Sequence, residues 1–334
     1  MLSKKDIYRY TGNPSQLFYS NMARLCEGRG AGMRVVEVNN GGGLEFTVYP
    51  DRAMDIGRFA IGGTNCSYLS KSGPVAPAYY DDKGSGWLKS FQGGFLATCG
   101  LTQVGSPNAC DGEELGLHGD VGTVPASEFC HFIDMDGDVP EIVLKGKMHC
   151  GRALGPYLAM TREIRVKYGD SKVYLTDRVE NLGTTRQPYM VLYHMNMGYP
   201  LLEGGVELDT NAVYMEPAGD YPQEKLDSRL VFPDVIDSGD EEAYYYDTAP
   251  DENGLCYAGL YNEGLKKGIR IWVKPGQLKN LAQWKNPFAG DYVMGIEPSN
   301  CRTKGRSKQK EYGLEYIDPF EAKTQELVIE ALQG

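Results

Sequence analysis

Lys172-Val173-Tyr174-Leu175-Thr176-Asp177-Arg178-Val179-Glu180 decides the fold class. Val173, Leu175 and Val179 fall on one face of an extended chain, and Tyr174, Thr176, Arg178 and Glu180 on the other. That period of two predicts a half-buried β-strand. Gly169-Asp170 separates it from a second β-rich run, Arg162 to Tyr168, which predicts a hairpin. On the other side, Asn181-Leu182-Gly183 turns the chain into Gln187 to Met195, a further strand. Hairpins also follow at Met33–Val38 with Leu44–Tyr49, and at Ser127–Asp134 with Glu141–Cys150. Phe59–Ile61 ends at the Gly62-Gly63 turn, and Leu255–Tyr261, Gly268–Val273, Leu281–Trp284 and Glu326–Ala331 complete the set.

No amphipathic helix longer than two turns is legible, and no repeat of 20 to 50 residues. The acidic, Tyr-rich stretch Leu226 to Asp251 reads as a long surface excursion. The expectation is an all-β protein built from antiparallel strands, with residues 1–334 forming a single domain and 1–20 an N-terminal extension.

The net charge of −11 argues against a nucleic acid, whose phosphates need clustered Lys and Arg, and equally against an anionic membrane surface. The one basic cluster, Arg302 to Lys310, reads as a solvated loop or hairpin, or as a contact for a phosphorylated or sulfonated ligand. No run approaches the roughly 18 apolar residues of a membrane span. Met-Leu-Ser-Lys-Lys-Asp at the start lacks the apolar centre of a signal peptide. The eight cysteines show no C-x-x-C and read as reduced thiols in a cytoplasmic protein.

Only four histidines occur. His131 and His149 stand next to cysteines on paired strands. Adjacent strand residues face opposite ways, so a shared metal is not expected. Gly28-Arg29-Gly30-Ala31-Gly32 lacks dinucleotide spacing. No metal or organic cofactor is implied.

The other two histidines mark the chemistry. His118 lies in Gly116-Leu117-His118-Gly119-Asp120, where it is either a turn histidine bonded to backbone or a ligand contact that glycines let approach closely. His194 ends an apolar strand in Leu192-Tyr193-His194-Met195-Asn196, facing either the core or a cleft. Glu297 stands in Gly295-Ile296-Glu297-Pro298, with Gln283 and Trp284 upstream. Arg52, in Asp51-Arg52-Ala53-Met54-Asp55-Ile56, either pairs with a neighbouring Asp or presents five donors to hydroxyls or an anion. Two imidazoles and a carboxylate that converge can move protons between oxygens without a metal.

These elements, in this order, resemble the aldose 1-epimerase superfamily, the galactose mutarotase-like proteins, in a divergent branch. The run from Val179-Glu180-Asn181-Leu182-Gly183 through Gln187-Pro188 to His194 is similar to the family's segment ending in its proposed general acid. Leu117-His118-Gly119 looks like its Leu-His-Gly, and Gly295-Ile296-Glu297-Pro298 like the strand carrying its catalytic glutamate. The family's Asn-Arg-Ile element is absent, and Phe95 to Gln103 stands in its neighbourhood. No residue between His194 and Glu297 can be matched by motif to its sugar-binding aspartate.

The resemblance implies a galactose mutarotase-like β-supersandwich and an isomerase acting on a small-molecule sugar. Glu297 would be the base and His194 the acid, opening the ring and letting it reclose as the other anomer. His118, Arg52, Asp120, Asn196 and Gln283 would contact the sugar, with Trp284 stacking on it. Ordinary pKa values would leave a charged acid and a charged base near pH 6. A non-catalytic sugar-binding protein or sensor, a glycan hydrolase and a hexose-phosphate epimerase are the other readings. Oligomeric state is open, a homodimer among the options.

Overall fold

The computed structural model describes residues 3–334, so the first two residues of the expected N-terminal extension lie outside the described residues. Alternating apolar side chains make Lys172–Asn181 a strand that buries Val173, Leu175 and Val179. Asp177 falls on the same inward face and is fully buried. This strand joins an antiparallel eight-stranded sheet. A second, seven-stranded sheet is built around Gln187–Gly198, Asp291–Ser299, Asn280–Phe288 and Glu242–Asp247, and Leu96–Leu101 also pairs with Gln187–Gly198. A five-stranded meander over Tyr19–Asn65 completes the layers. The main core unites inward residues of all three, among them Leu175 and Ile329, Tyr193 and Ile296, and Phe46 and Val48. The fold is all-β and antiparallel, as the alternation predicts.

Two expectations need correction. The 226–251 region is not only a surface excursion, because Glu242–Asp247 is an inner strand of the seven-stranded sheet. Tyr244 and Tyr246 enter the core on one face and Tyr245 is buried on the other, so the run is not polar-out. The basic cluster is not simply solvated either. Arg306 is buried and bonds to Glu113. The 1–20 segment also sends Ile7 and Phe18 into the core.

An ionic network ties the sheets together beneath the Gln187–Gly198 strand. Arg162, fully buried, donates through Nε and Nη2 to both oxygens of Asp177 at 2.8 and 2.6 Å. It also donates to Asp55 at 3.0 Å and to the Thr98 hydroxyl at 2.9 Å. The Tyr193 hydroxyl donates to Asp177 at 2.9 Å. A buried guanidinium is tolerated because every neighbour is an acceptor placed for it.

Candidate active site

Strand register assembles the site. Leu192 lies opposite Ser299 and Met195 opposite Ile296, which sets His194 beside Glu297 on the neighbouring strand. Tyr193, Met195 and Ile296 point into the core, so His194 and Glu297 point to the opposite, outer face. His194 Nε2 stands 3.2 Å from Glu297 Oε1, and only 5% and 3% of these residues remains exposed. They lie among the rings of Trp284, Phe91 and Trp87, whose centres stand 5.3, 5.4 and 6.3 Å from that of His194. Gly295 makes room for this, since a Cβ there would lie 2.6 Å from Glu297 Oε1 and 3.2 Å from Trp284 Cβ.

His118 reaches the same place from its turn. Its φ is +59°, a left-handed conformation that histidine adopts more readily than most residues. Gly119 follows at +72°, and a Cβ there would meet Gly100 O at 2.5 Å. The Gly105 N–H points at His118 Nδ1 from 3.4 Å, which assigns the proton to Nε2 and leaves that nitrogen as a donor. The two imidazoles stand edge to face, centroids 5.8 Å apart. Trp284 meets His194 at 5.3 Å, and Trp87 stacks on Phe91 at 4.5 Å while facing His118 at 4.8 Å. The His194–Glu297 contact is therefore the polar centre of an aromatic groove-like cluster on this face of the sheet.

Residues 30–331 match the family described as a domain of unknown function (DUF4432). The chain belongs to that family. Among solved structures, it is similar to a candidate aldose 1-epimerase of Klebsiella pneumoniae subsp. pneumoniae, 26% identical, with a TM-score of 0.90 over 96% of this chain and 86% of that one. A galactose mutarotase-like protein of Clostridium acetobutylicum is 12% identical, TM-score 0.65, over 96% of this chain and 100% of that one. The galactose 1-epimerase of Lactobacillus acidophilus NCFM is 11% identical, TM-score 0.62, over 95% and 99%. The last two speak for the fold alone. No curated protein matches the chain.

The remaining expected contacts of this DUF4432 chain divide. Asn196 shares the face of His194, donates to Gly94 O and His194 O, and leaves its buried Oδ1 without a partner. Gln283 does not reach the groove. As the neighbour of Trp284 it points to the core side, where it accepts from the Tyr246 hydroxyl at 2.9 Å and donates to Arg229 O at 3.0 Å. Arg52 presents no free fork. Its terminal nitrogens donate to Val75 O and Ser90 O at 2.9 and 3.0 Å, fastening the loop that carries Trp87. Neither neighbouring aspartate pairs with it: Asp51 holds Arg34 and Asp55 holds Arg162. Asp120 lines a different cleft of about 400 Å³, on the side of the turn marked by Gly116 and Gly119, with Tyr80, Arg152 and Arg306.

Three groove residues escape the sequence reading. Trp87 and Phe91 stand in a loop without periodicity, where only their spacing of four hints at a shared surface. Glu241 accepts from the Trp284 indole at 2.8 Å, and as a carboxylate between His194 and Glu297 in the chain it could bond a hydroxyl at the rim.

The protonation of this cluster differs from expectation. Burial, with Glu241 adding its charge, pushes Glu297 up to about 8. Burial pushes His194 down to about 4. Burial and the neighbouring His194 push His118 down to about 3. Desolvation thus disfavours both charges of the expected ion pair. At neutral pH the contact holds one transferable proton between a carboxyl group and a neutral imidazole. His131 and His149 stay apart, bonded to Ser20 and Tyr157.

Proposed function

We propose that this protein interconverts the α and β anomers of a free aldose. The carrying observation is the 3.2 Å contact between His194 Nε2 and Glu297 Oε1 beside the rings of Trp284 and Phe91.

Ring opening moves two protons. One leaves the anomeric hydroxyl and one arrives on the ring oxygen, as the C1–O bond breaks and the carbonyl forms. A Glu297 carboxylate takes the first while a His194 imidazolium gives the second. The pair then stands as carboxyl and neutral imidazole, the same number of protons differently placed. After rotation about C1–C2, the reverse transfers close the ring on the other face and restore the starting pair. The resting site holds the second of these arrangements, so a single proton shifted across the contact reaches the first. Each such group typically contributes about 10²–10⁴-fold. His118 Nε2–H supplies a donor to a sugar oxygen. Trp284 and Trp87 offer apolar faces to the C–H side of a pyranose.

Magnetisation-transfer NMR on a panel of free aldoses tests this reading. Wild-type protein should speed anomer exchange above the buffer rate, and Glu297→Gln should slow it by about 10²–10⁴-fold without unfolding. Buffer-level exchange of every aldose by the wild type would contradict it.

A further inference from the structure

We infer that the sugar carries an anionic group, a carboxylate or phosphate, at the end away from its anomeric carbon, received by Arg302 and Lys304. This rests on the mutarotase reading of the same site.

Tyr245 links the two places. It pairs with Ala282, which pairs with Glu297, so Tyr245 shares the groove face two strands from the carboxyl group, about 10 Å between backbones. Its hydroxyl meets the Thr303 hydroxyl at 2.7 Å, and Thr303 stands between the two cations in the chain. Arg302 Cζ lies 5.3 Å and Lys304 Nζ 5.2 Å from the centre of the Tyr245 ring. On their other side is Tyr312, at 4.9 and 5.4 Å. The cations are thus held between two aromatic faces, which attract positive charge without neutralising it.

Their only carboxylate partner within ion-pair distance among the described residues is Glu216. It bonds to Arg302 and stands 3.2 Å from Lys304. Glu216 keeps 42% of its side chain in solvent, while Arg302 keeps 12%. Two positive charges therefore share one solvent-exposed negative charge, in a chain whose net charge is −11. The cluster is not a product of basic composition. The Glu216 contact also shows what the fork accepts: one carboxylate oxygen reaching both cations. An incoming anion would take that place as Glu216 swings into water. Guanidinium groups bind planar carboxylates and phosphates alike, so both remain within the class. Glu241 on Trp284 adds negative charge near Glu297, which favours the anionic end of such a sugar lying toward the cations.

The test compares galacturonate, glucose 6-phosphate and galactose by anomer exchange. Wild type should favour at least one charged sugar over galactose by about tenfold to a hundredfold in kcat/KM, the worth of a charged hydrogen bond. Lys304→Met should shrink that ratio. Glu216→Gln should enlarge it, a gain that misfolding cannot produce. Preference for galacturonate alone or for the phosphate alone identifies the anion and supports the inference. Equal use of all three, or equal loss on all three in Lys304→Met, overturns it while leaving the mutarotase reading intact. If no sugar is exchanged, that reading fails, and binding of galacturonate and galactose followed by Trp284 fluorescence decides the inference. Tighter galacturonate binding weakened by Lys304→Met supports it, and equal or absent binding overturns it.

Discussion

Glu297 can lie against His194 only because residue 295 has no side chain. A Cβ on Gly295 would sit 2.6 Å from Glu297 Oε1 and 3.3 Å from Trp284 Cε3. The glycine is not needed for an unusual φ but for space, so its replacement tests geometry without changing any charged group. Gly295→Ala should displace the carboxyl group and lower anomer exchange by about 10²-fold, the usual cost of an ångström of misplacement. Its circular dichroism and unfolding midpoint should stay close to wild type, and exchange at the wild-type rate would remove Gly295 from the account.

The neutral pair sets the pH profile. As pH falls through about 4, His194 gains a proton while Glu297 keeps its own, and no base remains. As pH rises through about 8, Glu297 loses its proton while His194 stays neutral, and no acid remains. Exchange should therefore follow a bell with limbs near these values, the macroscopic constants of the pair. The high-pH limb separates this from an ordinary ion pair, which would lose activity near the histidine value of about 6.5. Rates measured from pH 3.5 to 9.5, with protein integrity checked at each point, decide between them.

Arg162 carries the stability of the layers beneath the site. Arg162→Met would leave Asp55 and Asp177 buried without their cation and the Tyr193 hydroxyl without an anchored partner. Removing one member of a buried ion cluster costs about 3–5 kcal/mol. Urea unfolding should show a loss of that order, and a loss under about 1 kcal/mol would mean that the network relaxes around the gap.

Arg52 acts through the loop it fastens. Arg52→Met would orphan the carbonyls of Val75 and Ser90 and loosen the wall formed by Trp87 and Phe91. The expected result is a raised KM, faster proteolysis between residues 75 and 91, and pH limbs at their wild-type positions. A shift of the limbs with KM unchanged would instead place Arg52 in the proton chemistry.

The strands were legible because burial on one face writes a period of two, as in Val173, Leu175 and Val179. The convergence of His118, His194 and Glu297 was legible through their motifs. Glu242–Asp247 was missed because both faces of that strand are covered, which erases alternation and leaves only tyrosines among acids. Gln283 was misplaced for the opposite reason: strand alternation forbids it from joining Trp284 in the groove. Arg52 and Asp55 show a third limit. Which acid meets which arginine depends on loops and sheets brought together over long sequence distances, as in Arg162 with Asp55, 107 residues apart. The depressed histidines and raised glutamate come from burial, which no local motif reports.

If His194 and Glu297 work as one proton-sharing unit, a double-mutant cycle on anomer exchange will show it. Groups that act as a unit are strongly non-additive. Catalysed exchange should fall about 10²–10⁴-fold in His194→Asn and in Glu297→Gln, and no further when both changes are combined. Losses that multiply in the double variant, or a single variant that exchanges anomers at the wild-type rate, would show that the two residues do not share the proton.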